Sequence, residues 1–177
     1  MDLISVKRGV NTMKKNESGF SLIELLIVIL IIGILAAVII PRVGGFRKSA
    51  NETAAVQQLK KYIEGQLQFS LSHSGYYGSP ADLLQASTIT QGLAGQLGGV
   101  GTPVSMNGYE GGASHSADAP NGLGTRFAAE LHPTAPGSSG DRYFAVDTSG
   151  TLYESSTTPF TQANGELSLP SDAKSIQ

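Results

Sequence analysis

The sequence predicts an α+β fold, in which a long N-terminal α-helix, membrane-spanning and then amphipathic, packs on a small antiparallel β-meander. Three observations predict it. Residues 20–40 form one apolar block, an apolar stripe at three- and four-residue spacing follows, and short alternating segments separated by Gly, Pro, Ser and Asp fill the second half. The 177 residues suffice for one compact domain and an appendage. Cysteine is absent, which excludes disulfides, thiolate metal sites and cysteine nucleophiles. A net charge of −2 gives no reason to expect a nucleic-acid partner.

The first element is basic. Lys7, Arg8, Lys14 and Lys15 precede the apolar block and predict a cytoplasmic N-terminus, with everything after Pro41 translocated. The block itself has about the ~20 residues that a helix needs to cross a bilayer. A secretory signal peptide fits less well, because apolar residues continue beyond the small residues Ala36 and Ala37. Glu24 is the anomaly, since a carboxylate in hydrocarbon costs roughly 3 kcal/mol. Either it lies near the headgroups and snorkels out, or it meets a cation. No Lys or Arg stands between Glu24 and Arg42, but a cut before Phe20 would create an α-amino group four residues away.

Gly19-Phe20-Ser21-Leu22-Ile23-Glu24 and the apolar run after it resemble the class III signal of type IV pilins and the related pseudopilins of type II secretion. The resemblance is specific over residues 14–41 and looser along the helix beyond. It implies a pilin-like fold, cleavage between Gly19 and Phe20 by a prepilin peptidase, N-methylation of Phe20, and pairing of Glu24 with the Phe20 ammonium of a neighbouring subunit. Typical leaders of this family are short, so residues 1–12 depart from the pattern and Met13 is a candidate true start. Gly33 and Pro41 also match family positions, where helicity is lost on assembly. By itself, proline removes a backbone donor and predicts a kink near residues 37–41, while Gly33 equally suits close packing of helices.

Past Pro41 the helix is expected to resume to about Ser74, with Val56, Leu59, Ile63 and Leu67 as its core stripe and Tyr62 and Phe69 beside them. Ser79-Pro80-Ala81-Asp82 reads as a capped helical turn inside a variable loop. Four strands are expected at residues 104–110, 126–132, 141–147 and 151–155. Phe127, Ala129, Leu131, Phe144, Val146 and Leu152 face inward, and residues 147–150 form a hairpin turn. The tail after Ser156 is expected to be loop. The chain thus divides into a cytoplasmic leader (1–19), a transmembrane or filament-core helix (20–41), an amphipathic half-helix (42–74) and a globular head (75–177).

Residues 42–74 carry five basic and two acidic groups, a net of +3, and residues 75–177 carry three and nine, a net of −6. Such opposite signs suit side-by-side docking of subunits, or else mark solvated faces. No HExxH, GxSxG or phosphate-binding loop is present, so no catalysis, cofactor or metal centre is expected. Asp118, Asp141, Asp147 and Glu154 have no calcium-loop spacing. Asn51-Glu52-Thr53 forms a glycosylation sequon on the helix.

The resemblance implies a structural subunit of a type IV pilus polymerised through its N-terminal helix. The alternative is a pseudopilin of a type II secretion system, and further off stands a single-span anchored binding protein. Its implied partners are copies of itself and other pilins, the prepilin peptidase/methyltransferase, an inner-membrane assembly platform, and membrane lipid before assembly. The implied location is the inner membrane as a single-pass precursor, then a surface pilus or periplasmic pseudopilus.

Overall fold

The structure is a computed structural model that describes residues 19–101 and 103–176, with the backbone alone at 38–43. The leader expectations at residues 1–18 lie outside the described residues. The chain forms two units, Met1–Pro41 and Arg42–Gln177. Helix α1 (Leu22–Ser72) contributes to both.

In the first unit the described side chains of α1 are apolar apart from Glu24, and all but the half-buried Ala36 are exposed. Here the structure corrects two expectations. Among the described residues no helix is long and apolar enough to cross a membrane, which counts against both a membrane-spanning segment and a single-pass inner-membrane precursor. The described apolar side chains of the helix run from Leu22 to Ala37. The helix also carries Glu24 in its first turn.

In the second unit the remainder of α1 packs on a five-stranded antiparallel sheet of order β1-β2-β3-β4-β7. The strands are β1 (Tyr109–His115), β2 (Phe127–Pro133), β3 (Tyr143–Asp147), β4 (Leu152–Ser155) and β7 (Lys174–Ile176). A two-stranded hairpin, β5 (Thr161–Ala163) and β6 (Glu166–Ser168), lies against β1, β2 and β3. Short helices α2 (Pro80–Gln85) and α3 (Gln91–Gln96) fill the connection between α1 and the sheet. As expected, Ser79 caps α2: its hydroxyl accepts from the Asp82 N–H, and the Asp82 carboxylate accepts from the Ser79 N–H.

Alternation in β2 sends Phe127, Ala129 and Leu131 inward, where they join Phe144, Val146 and Leu152 as expected. Tyr62 of α1 meets the Phe127 ring edge-on at 5.8 Å between centroids. The helix face that enters this core is not quite the expected stripe. Leu59, Tyr62 and Phe69 are buried and Val56 and Ile63 partly so, but Leu67 is exposed and Gln66 takes the core position beside it. The Gln66 amide donates to the Tyr62 hydroxyl (2.8 Å) and the Gly78 carbonyl (2.7 Å), and accepts from the Gly78 N–H (3.2 Å). A polar side chain is buried there because it satisfies a buried stretch of backbone.

The first strand starts at Tyr109 rather than residue 104. Asn107 and Gly108, both at positive φ, reverse the chain and bring Met106 opposite Tyr109. In β1, a Cβ on Gly111 would lie about on top of the Glu130 carbonyl of β2, so only glycine admits this strand approach. The tail after Ser156 is ordered into β5–β6 and β7, not loop. Asn164 and Gly165 supply the positive φ pair of its hairpin turn.

Candidate functional site

Ser21 opens α1: its carbonyl accepts from the N–H groups of Glu24 (3.1 Å) and Leu25 (3.2 Å). The Glu24 carboxylate turns back, and its Oε2 accepts from the Ser21 N–H at 2.8 Å. That is one half of a capping box, Ser-x-x-Glu, which satisfies a backbone donor otherwise left open at the helix start. The serine–glutamate spacing was legible in the sequence and is the signal by which Ser21 could have been found. A carboxylate in the first turn also faces the positive end of the helix dipole.

Gly19 and Phe20 precede the helix in non-helical backbone, both exposed, Phe20 to 87%. A Cβ on Gly19 would meet nothing within 4 Å. The structure therefore brings Gly19, Phe20, Ser21 and Glu24 together at one open helix terminus. Gly33 lies farther along the helix with open space around it, and the backbone is helical through Pro41, whose side chain lies outside the described residues. From Leu22 to Leu35 the large apolar side chains are between 47% and 81% exposed.

The head's charged groups are engaged with the helix, with one another and with hydroxyl and backbone donors. Arg142 reaches Glu52 of α1 (2.9 Å) and Glu154 of β4 (2.6 Å), and Lys48 reaches Asp141 (3.2 Å). Part of the opposite charge of stem and head is thus joined within a single chain. Asp118 accepts from the Ser116 and Thr125 hydroxyls and the Thr125 N–H, which hold its carboxyl well below the usual carboxylate range. The Ser155 and Thr157 hydroxyls and the N–H groups of Ser156 and Thr157 hold Asp172 down to about 2 in the same way. Asp141, Asp147 and Glu154 are separately engaged with Lys48, the Ser149 turn and Arg142. Among the described residues no group of three or more His, Cys, Asp or Glu side chains gathers to hold a metal ion. The sequon residue Asn51 donates its side-chain N–H to the Ser139 carbonyl at 2.8 Å.

The family described as "Prokaryotic N-terminal methylation motif" matches residues 14–40. The Type IV wide pilus major component PilA4 of Thermus thermophilus is 43% identical over 70 residues, 40% of this chain and 53% of that protein. The Type II secretion system core protein G of Aeromonas hydrophila is 39% identical over 46 residues, 26% of this chain and 32% of its own. Its counterpart in Dickeya chrysanthemi is 34% identical over 65 residues, 36% of this chain and 42% of its own. The chain thus spans about half or less of the length of these relatives. No solved structure matches it. The open helix start, with its glutamate turned back onto the Ser21 N–H, belongs to a chain that carries the N-terminal methylation motif and is homologous to members of the type IV pilin and type II secretion pseudopilin family.

Proposed function

We propose that this chain is a structural subunit of pseudopilin type, cut between Gly19 and Phe20 and assembled through its N-terminal helix into a type II secretion filament. What carries the reading is the helix start, where an exposed cut site, an acidic side chain and a long uncovered apolar surface adjoin. Homology to core protein G from more than one organism supports the secretion filament over the pilus. The relatives' names, a pilus major component and secretion system core proteins, fit a structural role, and no catalysis is part of this reading.

The physical logic begins with cleavage. A scissile bond must enter a protease as extended chain, and Gly19–Phe20 lies in exposed, non-helical backbone. The cut leaves an α-amino group on Phe20, cationic near neutral pH because such groups titrate around 7.7–8. N-methylation keeps it basic. Glu24 already spends Oε2 on its own Ser21 N–H, which leaves Oε1 for the ammonium of a neighbour. Each large apolar side chain removed from water contributes about 1.5–3 kcal/mol. A dozen such side chains outweigh the roughly 4–15 kcal/mol cost of association. Burying either charge alone would cost several kcal/mol, so the pair selects the register in which both are matched. Other subunits, a prepilin peptidase and an assembly platform are the partners this route requires.

The test is a pair of measurements. N-terminal sequencing of the mature protein should begin at a modified Phe20, and Glu24→Val should be cut normally yet assemble poorly. Normal filaments from Glu24→Val would falsify the pairing. A second reading, the type IV pilus subunit, is favoured by the pilus relative, whose match covers 70 residues. Deleting the gene separates them: loss of exported protein without loss of surface filaments supports secretion, and the reverse supports the pilus.

A further inference from the structure

The chain contains three histidines. His73 stacks on the Phe69 ring at 3.7 Å with Nδ1 2.9 Å from the Phe69 carbonyl, and His115 places Nε2 2.9 Å from the Gly122 carbonyl. Among the described residues, neither hydrogen-bonds or pairs with a carboxylate. His132 differs, because each of its ring nitrogens faces one.

His132 and Glu110 are register partners on β2 and β1, and Glu130 lies two residues before His132 on the same strand. Period-two alternation therefore places all three side chains on the sheet face away from the core. His132 Nδ1 is 3.0 Å from Glu130 Oε2, an ordinary hydrogen bond. His132 Nε2 is 3.6 Å from Glu110 Oε1, too long for one. Two ligands held about 2.0–2.1 Å from a tetrahedral zinc ion stand roughly 3.4 Å apart. The gap thus has the width that a shared ion needs.

Exposure separates the three groups in the same sense. The side chains of Glu110 and His132 are 41% and 37% accessible, whereas that of Glu130 is 13%. A metal-ligating histidine characteristically donates its other ring N–H to a carboxylate, which fixes the tautomer and raises the basicity of the ligating nitrogen. Glu130 stands where that partner belongs.

We propose that Nε2 of His132 and the carboxylate of Glu110 bind a divalent transition-metal ion of the zinc type, with Glu130 as the residue that positions the imidazole. Water completes the coordination, since two protein ligands are fewer than a closed structural site uses. The ion joins β1, the edge strand, to β2. An imidazole nitrogen with one carboxylate favours zinc over calcium, which takes oxygen ligands only and more of them.

The test titrates Zn²⁺ alone into the full chain in a nonionic detergent, by calorimetry and by NMR of the histidine ring signals. One ion per chain should bind, shifting the His132 ring signals and leaving those of His73 and His115 in place. His132→Gln should abolish that binding and Glu110→Gln should weaken it at least tenfold. Glu130→Gln should weaken it between about 10- and 100-fold while leaving circular dichroism unchanged. A His73→Gln/His115→Gln double variant should bind as the parent does, and Ca²⁺ should not compete. Unmoved His132 signals at saturating Zn²⁺, binding that survives His132→Gln, or an affinity indifferent to Glu110→Gln would overturn the proposal. Binding indifferent to Glu130→Gln would overturn the positioning role.

Discussion

Replacing Gln66 with leucine tests whether the glutamine is buried for the sake of the backbone it serves. The side chain is fully buried and makes three hydrogen bonds, two of them to the N–H and C=O of Gly78. Gly78 is itself buried, and a Cβ there would crowd Asp82 and Phe69, so the segment has little room to turn its groups toward other partners. Leaving each buried backbone group unpaired costs about 1–3 kcal/mol. Two such groups cost about 4 kcal/mol at mid-range, and the more apolar leucine recovers on the order of 1 kcal/mol. The net loss is therefore about 3 kcal/mol, or a melting temperature lower by about 6–12 °C at 2–4 °C per kcal/mol. Circular dichroism melts of the full chain read it. The control is the adjacent residue: Leu67→Ala removes more apolar surface on paper, but Leu67 is 52% exposed and should shift the midpoint by no more than a degree or two. A Gln66→Leu protein melting within 2 °C of the parent, or a Leu67→Ala protein melting far below it, would refute the assignment of the helix face.

Two further measurements bear on the charged groups. Arg142→Ala strips the guanidinium from Glu52, whose side chain is only 9% accessible and keeps only the Asp141 N–H, and should lower stability by about 1–3 kcal/mol in urea unfolding. Arg142→Lys should restore only part of it, because one ammonium cannot hold Glu52 and Glu154 in the geometry of the guanidinium fork. The acid limb of the stability profile should follow Asp118 and Asp172. Both carboxyls are held below their unfolded value near 3.9 by hydroxyl and backbone donors, so their contribution is present above about pH 4. It should be lost as the pH falls through about 2, where Asp172 protonates. Asp172→Asn should flatten the melting temperature against pH between about 4 and 2, and an unchanged slope would contradict the network drawn around it.

Much of the architecture was legible because it obeys simple periods. Phe127, Ala129 and Leu131 alternate, Ser79 and Pro80 announce a helix start, and Gly150 takes the positive φ its turn requires. What escaped had chemistry that hides from hydrophobic patterning. Tyr-Glu-Gly-Gly-Ala-Ser-His looks nothing like a strand, yet β1 needs Gly111 because the β2 backbone lies so near. Gln66 breaks the apolar stripe of α1 because a polar group there answers Gly78. The hairpin after Ser156 is short and polar, but Asn164-Gly165 is a strong local turn signal, as is Asn107-Gly108 before β1. At the helix start Gly19, Phe20 and Glu24 could be singled out in the sequence, whereas the contact between Glu24 and the Ser21 N–H could have been found only by reading the pair as a cap. The juxtaposition of Glu110 with His132 was invisible, since it depends on the register of two strands.

The tie between Asn51 and the Ser139 carbonyl bears on the order of events during maturation. The amide nitrogen to which a sugar would be joined is already donating, and the glycine turn at Gly108 closes in beside it, leaving only 3.1 Å to a Cβ built there. An oligosaccharide could be transferred to Asn51 only before residues 108 and 139 come to rest against it. Any chain found glycosylated there would have met its transferase as an unfolded polypeptide.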